Sequence, residues 1–76
     1  MDLRDTFATN LRRLRNAKGL SQDDLAYEAD VSRSYLSQLE KGDFYASLKI
    51  IGRLAVALDA EPAEFLRQLP KRPKHR

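Results

Sequence analysis

The sequence predicts a compact all-α domain of five helices over residues 1–69, followed by a flexible basic tail at 70–76. Three observations lead there. Apolar residues return at steps of three and four along the chain, and no alternating run of strand type interrupts them. Helix starts and stops are marked repeatedly, by a hydroxyl before an apolar stretch and by a basic residue followed by glycine after it. With 76 residues and no cysteine, the chain has room for one domain with a modest core and no disulfide to reinforce it.

In the first helix, Leu3, Phe7, Leu11 and Leu14 form one face, and Gly19 after Lys18 ends it as a C′ glycine. Ser21 offers a hydroxyl N-cap to the second helix. Asp23 and Asp24 suit its positive first turn, and Leu25, Ala26 and Ala29 face inward. That helix stops near Ala29, and Asp30-Val31 makes the turn. Ser32 caps a third helix carrying Tyr35, Leu36 and Leu39, which ends at Lys41-Gly42. After the loop Asp43-Phe44-Tyr45-Ala46, Ser47 caps a fourth helix with Leu48, Ile51, Leu54, Ala55 and Leu58 inward. Pro62 suits the first position of a fifth helix, with Phe65, Leu66 and Leu69 apolar, and Pro70 ends the order. Tyr27 and Tyr35 read as packing residues. Of Phe44 and Tyr45, one is expected to close the core and the other to border a contact surface.

The formal charge of +3 is unevenly placed. Lys71, Arg72, Lys74 and Arg76 lie in the tail, which leaves ten basic against eleven acidic residues in the body, a net of −1. A body so near neutrality gives no electrostatic argument for nucleic acid by itself. The absence of cysteine removes thiolate chemistry and zinc–thiolate sites. The one histidine, His75, lies in the tail, so neither a metal site nor a histidine-based triad is expected. No phosphate-cradling glycine loop occurs, and no cofactor or small-molecule effector is indicated. No apolar run approaches the roughly 18 residues of a membrane span, and the N-terminus lacks a secretory pattern. These features predict a cytoplasmic protein that is not an enzyme.

The informative segment is Gln22 to Leu39. Two short helices are separated by a turn of three to four residues, with small Ala26 at their close crossing, and with Val31, Leu36 and Leu39 locking the pair into the core. This is the spacing of a helix-turn-helix, whose second helix enters the DNA major groove. The runs Gly19-Leu20-Ser21-Gln22-Asp23-Asp24-Leu25-Ala26 and Val31-Ser32-Arg33-Ser34-Tyr35-Leu36-Ser37-Gln38-Leu39-Glu40-Lys41-Gly42 resemble the phage-repressor and Cro-like (XRE-type) helix-turn-helix family. The resemblance continues through Ser47-Leu48 and Leu54-Ala55-Val56-Ala57-Leu58 to Glu64-Phe65-Leu66, so it covers residues 7 to 69. It implies a repressor-like five-helix domain, binding to double-stranded operator DNA as a small transcriptional regulator, and a homodimer. Such a protein is nucleoid-associated when bound. Two departures stand out. Asp30 occupies the turn position where the family usually has glycine, and Asp43-Phe44-Tyr45-Ala46 replaces a loop that is often basic and contains proline.

Arg33, Ser34, Ser37 and Gln38 fall on the outward face of the third helix. Arginine can fork to guanine O6 and N7, and glutamine to adenine N6 and N7, so these four are the candidate base contacts. The resemblance places Gln22 on phosphate, Ser32 at the N-cap with phosphate in reach, and Arg15 with Glu40 in a structural ion pair. Arg12, Arg13, Lys18 and Lys41 are further phosphate candidates, the alternative being ordinary solvated charges. Phe65, Leu66 and Leu69 are candidates for the dimer interface, because an apolar face at the end of a small domain needs cover. A different class of function, a protein-interaction module such as an antitoxin or adaptor on the same fold, is kept open by the neutral body and the acidic second helix.

Overall fold

The computed structural model describes residues 2–68. It contains four α-helices and one 3-10 helix: α1 Leu3–Ala17, α2 Gln22–Ala29, α3 Arg33–Lys41, α4 Leu48–Leu58 and the 3-10 helix Pro62–Leu66. The expected fifth α-helix is therefore corrected to a single 3-10 stretch. Proline starts it, but the chain turns extended again at Arg67, and so short a stretch lacks the length that α-helix propagation needs. Leu69 and the basic tail, residues 70–76, lie outside the described residues.

One local grammar governs all four α-helices. Asp2, Ser21, Ser32 and Ser47 hold extended backbone, and each accepts a hydrogen bond from a first-turn amide onto its side chain, which satisfies one of the orphan donors of a helix start. At the other end, Leu20, Val31, Asp43 and Ala60 donate their N–H groups back to Arg15, Ala26, Gln38 and Ala55 at 2.9–3.2 Å, the six-to-one bond of a Schellman closure. Each closure needs a left-handed residue. Gly19 and Gly42 supply two of these, and Asp30 and Asp59 the other two, with φ of 59° and 52°. At Gly42 a Cβ would lie 2.9 Å from Oδ1 of exposed Asp5, so that carboxylate would have to swing aside, and it is the left-handed φ of 81° that favours glycine there. The Asp2 cap has an electrostatic signature. The hydrogen bond from the Arg4 guanidinium, with that from the Arg4 amide, holds its carboxyl below the usual 3.8. The cap's contribution is therefore present above that value and is lost as pH falls through the lower folded one.

The core is formed by α1, α2, α3 and α4 around Leu11, Leu25, Leu36, Leu39 and Leu54, all fully buried. Burying each leucine contributes on the order of 1.5–3 kcal/mol. Phe65 closes the end of this core. Its ring stacks on Phe7 with centroids 5.3 Å apart, and none of its surface is exposed, so it presents nothing to a partner molecule. Its expected place in a dimer contact is corrected to a core role; Leu66 beside it is exposed. Asn10 is the polar counterpart of Phe65. Its buried amide donates to the carbonyls of Phe65 and Arg67 at 3.0 and 2.9 Å and so fastens the chain after the 3-10 helix onto α1.

Further side chains differ from expectation. Leu48 is 87% exposed rather than inward; as the first residue of α4 it sits a turn ahead of the buried stretch. Tyr27 is 86% exposed, on the side of α2 away from Leu25 and Ala29. Neither Phe44 nor Tyr45 enters the core. Phe44 stacks on half-buried Tyr35, and Tyr45 lies under the Arg4 guanidinium at 4.9 Å. Together they wall a shallow apolar cavity of about 140 Å³ that also borders Leu3, Phe7 and Leu66.

The polar junction between α1 and α3 completes the frame. Arg15 Nε donates to Glu40 Oε2 at 2.6 Å and Arg15 Nη2 to Glu40 Oε1 at 3.0 Å, a two-point grip. Arg15 Nη1 also reaches the Leu20 carbonyl at 2.9 Å, and Arg12 Nη1 donates to the Glu40 carbonyl. The side chains of Arg15 and Glu40 are only 14% and 4% exposed. A pair this buried is destabilising to break from one side, because the remaining charge stays desolvated, whereas apolar replacement of both partners is far milder. Glu40→Ala is accordingly expected to cost about 3–5 kcal/mol. The double variant Arg15→Met with Glu40→Leu should recover most of that loss. Urea unfolding midpoints of the three proteins decide the matter, and a single variant as stable as the parent would remove the pair from the frame. Asp30→Gly is expected to act in the opposite direction. Relief of the left-handed penalty should raise stability by about 0.5–1 kcal/mol, since only part of the gain is returned as unfolded-chain entropy. A higher urea midpoint would confirm it, and a lower one would mean that the Asp30 side chain contributes more than its backbone strain costs.

Candidate nucleic-acid interface

The outward surface of α2 and α3 is built by the turn between them. Asp30 in the left-handed region sends the chain back across α2, and Ser32 then starts α3 with its hydroxyl accepting from the Tyr35 amide at 3.0 Å. Leu36 and Leu39 point into the core, which fixes the rotation of α3. The same rotation leaves Arg33 and Ser34 exposed and Ser37 and Gln38 half-buried. At 100° per residue these four cover an arc of about 140° on one side of the helix. α3 is nine residues long, and a bare α-helix fits a major groove roughly 12 Å wide.

Gln22, the first residue of α2, sits between the buried junction and this face. Its Nε2 donates to Glu40 Oε1 at 3.0 Å, and its Oε1 accepts from Arg33 Nε at 3.4 Å. Arg33 Nε also lies 3.6 Å from Asp23 Oδ1. A continuous polar line therefore runs from Arg15 in α1 through Glu40 and Gln22 to Arg33 at the start of α3. Ser32 has its oxygen engaged by the Tyr35 amide, which leaves its O–H donor for another acceptor.

The basic candidates divide into two groups. Arg12 is exposed and flanks the C-terminal end of α3 through the Glu40 carbonyl. Lys41 closes α3 and Lys18 closes α1; both are exposed, and neither makes an ion pair among the described residues. Arg13 is separate. Its guanidinium is engaged by Asn10 Oδ1 at 3.0 Å and Glu64 Oε1 at 3.3 Å, which turns it to the side of α1 that carries the 3-10 helix. Arg13 thus braces α1 against the 3-10 helix, while its side chain remains 36% exposed. Two site residues escape sequence reasoning. Asp23 looks like a first-turn acid serving the helix dipole, and nothing at a separation of ten residues signals its approach to Arg33. Asn10 did leave a signal, a polar residue inside the apolar stripe of α1.

Comparisons with known proteins follow the same outline. The helix-turn-helix family model matches residues 11–65. The control protein C.BamHI of Bacillus amyloliquefaciens is 35% identical over 66 residues, which is 86% of this chain and 82% of that protein. The structure of the restriction-modification controller protein C.AhdI from Aeromonas hydrophila superposes with a TM-score of 0.79 at 47% identity, covering 82% of this chain and 94% of that one. The clp gene regulator ClgR from C. glutamicum gives a TM-score of 0.80 at 36% identity, covering 84% and 83%. The controller protein C.Esp1396I, solved as a tetramer with its natural 35 base-pair operator, is 25% identical with a TM-score of 0.77, covering 86% of each chain. A family match across most of the chain, a shared fold and the α2–α3 geometry agree: the chain belongs to the helix-turn-helix family.

Proposed function

We propose that the protein is a sequence-specific double-stranded DNA-binding regulator that presents α3 to the major groove. The observation that carries this reading is the α3 face. Arg33, Ser34, Ser37 and Gln38 project from a helix whose opposite side is locked by Leu36, Leu39 and the Glu40 junction, and their side chains are of the types that read base edges. Gln22, Ser32, Arg12, Lys18 and Lys41 border that face and serve as phosphate contacts, which set register without reading sequence. The likeness to C.BamHI and C.AhdI, a control protein and a restriction-modification controller, supports a regulator of the controller class.

The protein acts as a homodimer in this reading, because one nine-residue recognition helix touches too few base pairs for genomic selectivity. The operator-bound tetramer of the relative C.Esp1396I supports assembly on DNA. Exposed apolar residues available for cover include Leu66 at the end of the 3-10 helix and Val56 on α4. Half-site centres are expected one helical turn apart, roughly 34–36 Å. Sedimentation of the free protein and of its complex with duplexes of varied spacing tests this, and a monomer saturating a single half-site would refute it.

Selection of bound sequences from random DNA, followed by titration, tests base reading. Arg33→Ala and Gln38→Ala are each expected to weaken the selected site by about 1–3 kcal/mol while leaving scrambled DNA nearly unchanged. Lys18→Ala should weaken both modestly and reduce the salt slope by about one unit. Thermal melts should be unaffected, since neither Arg33 nor Gln38 belongs to the core. Variants that bind the selected site like the parent, yet fail to bind a protein partner, would favour an interaction module instead.

A further inference from the structure

We propose that Asp23 is a specificity-determining residue, which holds the Nε edge of Arg33 so that the arginine offers only its terminal nitrogens, in one orientation, to a guanine. The inference rests on the DNA-binding reading above and deepens it. Asp23 is the second residue of α2, and Arg33 the first of α3. They are separated by the rest of α2 and the turn that follows it, so their proximity exists only once the two helices have packed.

The geometry is one-sided. Arg33 Nε faces Asp23 Oδ1 at 3.6 Å and Gln22 Oε1 at 3.4 Å. Nη1 and Nη2 make no hydrogen bond within the described chain. A guanidinium has five donors in a rigid fork. When two acceptors occupy one edge, the other edge remains as a parallel pair, the arrangement that guanine O6 and N7 accept. Gln22 is itself pinned through its Nε2 to buried Glu40, so the oxygen it turns toward Arg33 is fixed from behind. Asp23 adds the charge.

That charge does a second thing. Arg33 and Asp23 are 61% and 73% exposed, so their attraction contributes little to folding. At a DNA surface, however, an unpaired arginine gains from any phosphate, whatever the sequence. With a carboxylate on its Nε edge the local net charge is zero, and the same carboxylate repels the backbone. Little is then gained from phosphate alone, while a guanine edge still offers two aligned acceptors. Asp23 thereby lowers non-specific affinity and concentrates the value of Arg33 on one base.

The test uses the full chain with the duplex chosen by selection, a scrambled duplex, and the three single-base changes at the position where Arg33→Ala abolishes base preference. Asp23→Asn and Asp23→Ala are expected to bind scrambled DNA more tightly, by roughly two- to fivefold, and to lose most of the guanine preference at that one position. Preference at positions governed by Gln38 should persist, which a general loss of fold would not allow, and Asp23→Glu should restore part of the guanine preference. Asp23→Asn with parental guanine preference and parental scrambled-DNA affinity overturns the inference, provided that Arg33→Ala loses the preference. If Arg33→Ala itself changes no base preference, or the parent selects no sequence, the DNA-reading proposal fails first, and this one falls with it.

Discussion

The structure depends on a carboxylate that has no water to face. Glu40 is buried on the inner side of α3, and an isolated ionised group there would cost several kcal/mol. Arg15 meets both of its oxygens, Gln22 meets one of them again, and Arg12 binds its backbone carbonyl. These partners come from two places: Arg12 and Arg15 from α1, Gln22 from the start of α2. The need to satisfy Glu40 therefore dictates how three helices meet. Leucine contacts alone would bring α1 and α3 together but would tolerate sliding. The two-point arginine grip does not, because its hydrogen bonds lose most of their value when the angle changes. Among the described residues no buried side-chain polar atom is left without a partner, so the polar junction specifies an arrangement without leaving a penalty behind.

A fixed junction is useful only if the chain can enter and leave it sharply. The four Schellman closures provide that, and they explain why two aspartates adopt the left-handed conformation. Asp30 and Asp59 stand where glycine would be easiest. Aspartate is among the few side chains for which this region is accessible at moderate cost. The price of that backbone strain is offset by the closing hydrogen bonds, Val31 to Ala26 at 3.0 Å and Ala60 to Ala55 at 2.9 Å. The tight exit from α2 lets Ser32 begin α3 within two residues of Asp30, and so places Arg33 beside the first turn of α2.

Most of this was legible in the sequence where the signal is local. Ser21, Ser32 and Ser47 mark their helices, Gly19 and Gly42 end theirs, and the three- and four-residue steps orient Leu11, Leu36 and Leu54 inward. Asp30 was legible as a departure, because it stands at the turn position where the family that the sequence resembles usually has glycine; Asp59 carried no such frame. The misplaced apolar side chains share a cause. Leu48 and Phe65 lie on apolar patterns and Tyr27 is a large ring beside one, and a pattern states that a face is apolar without stating what covers it. α4 leaves Leu48 outside, α2 leaves Tyr27 outside, and Phe65 turns inward onto Phe7 instead of outward. Charge alone does not say which flank of α1 Arg13 leans to; Asn10 and Glu64 decide that. The 3-10 helix reflects length, since Pro62 to Leu66 offers too few residues for the apolar steps to discriminate between helix types.

The charge balance ties the frame to the function. A body of net −1 outside its last six residues has little of the counterion-release energy that drives indiscriminate binding, and Asp23 and Asp24 lie in the first turn of α2 beside the proposed reading face. A strongly basic surface would bind all DNA well and gain only a modest ratio from a few base contacts. In the proposed reading the ratio is helped from below, because a near-neutral body keeps the floor of non-specific affinity low. It is also helped from above, because the residues proposed to read bases are braced: Leu36 and Leu39 set the rotation of α3, Glu40 fixes Gln22, and Gln22 steadies Arg33. Bracing matters most for a chain with so few contacts to spend, since side-chain freedom lost on binding is subtracted from each of them. A small neutral domain can thus be selective because its polar core, rather than its net charge, determines what α3 presents.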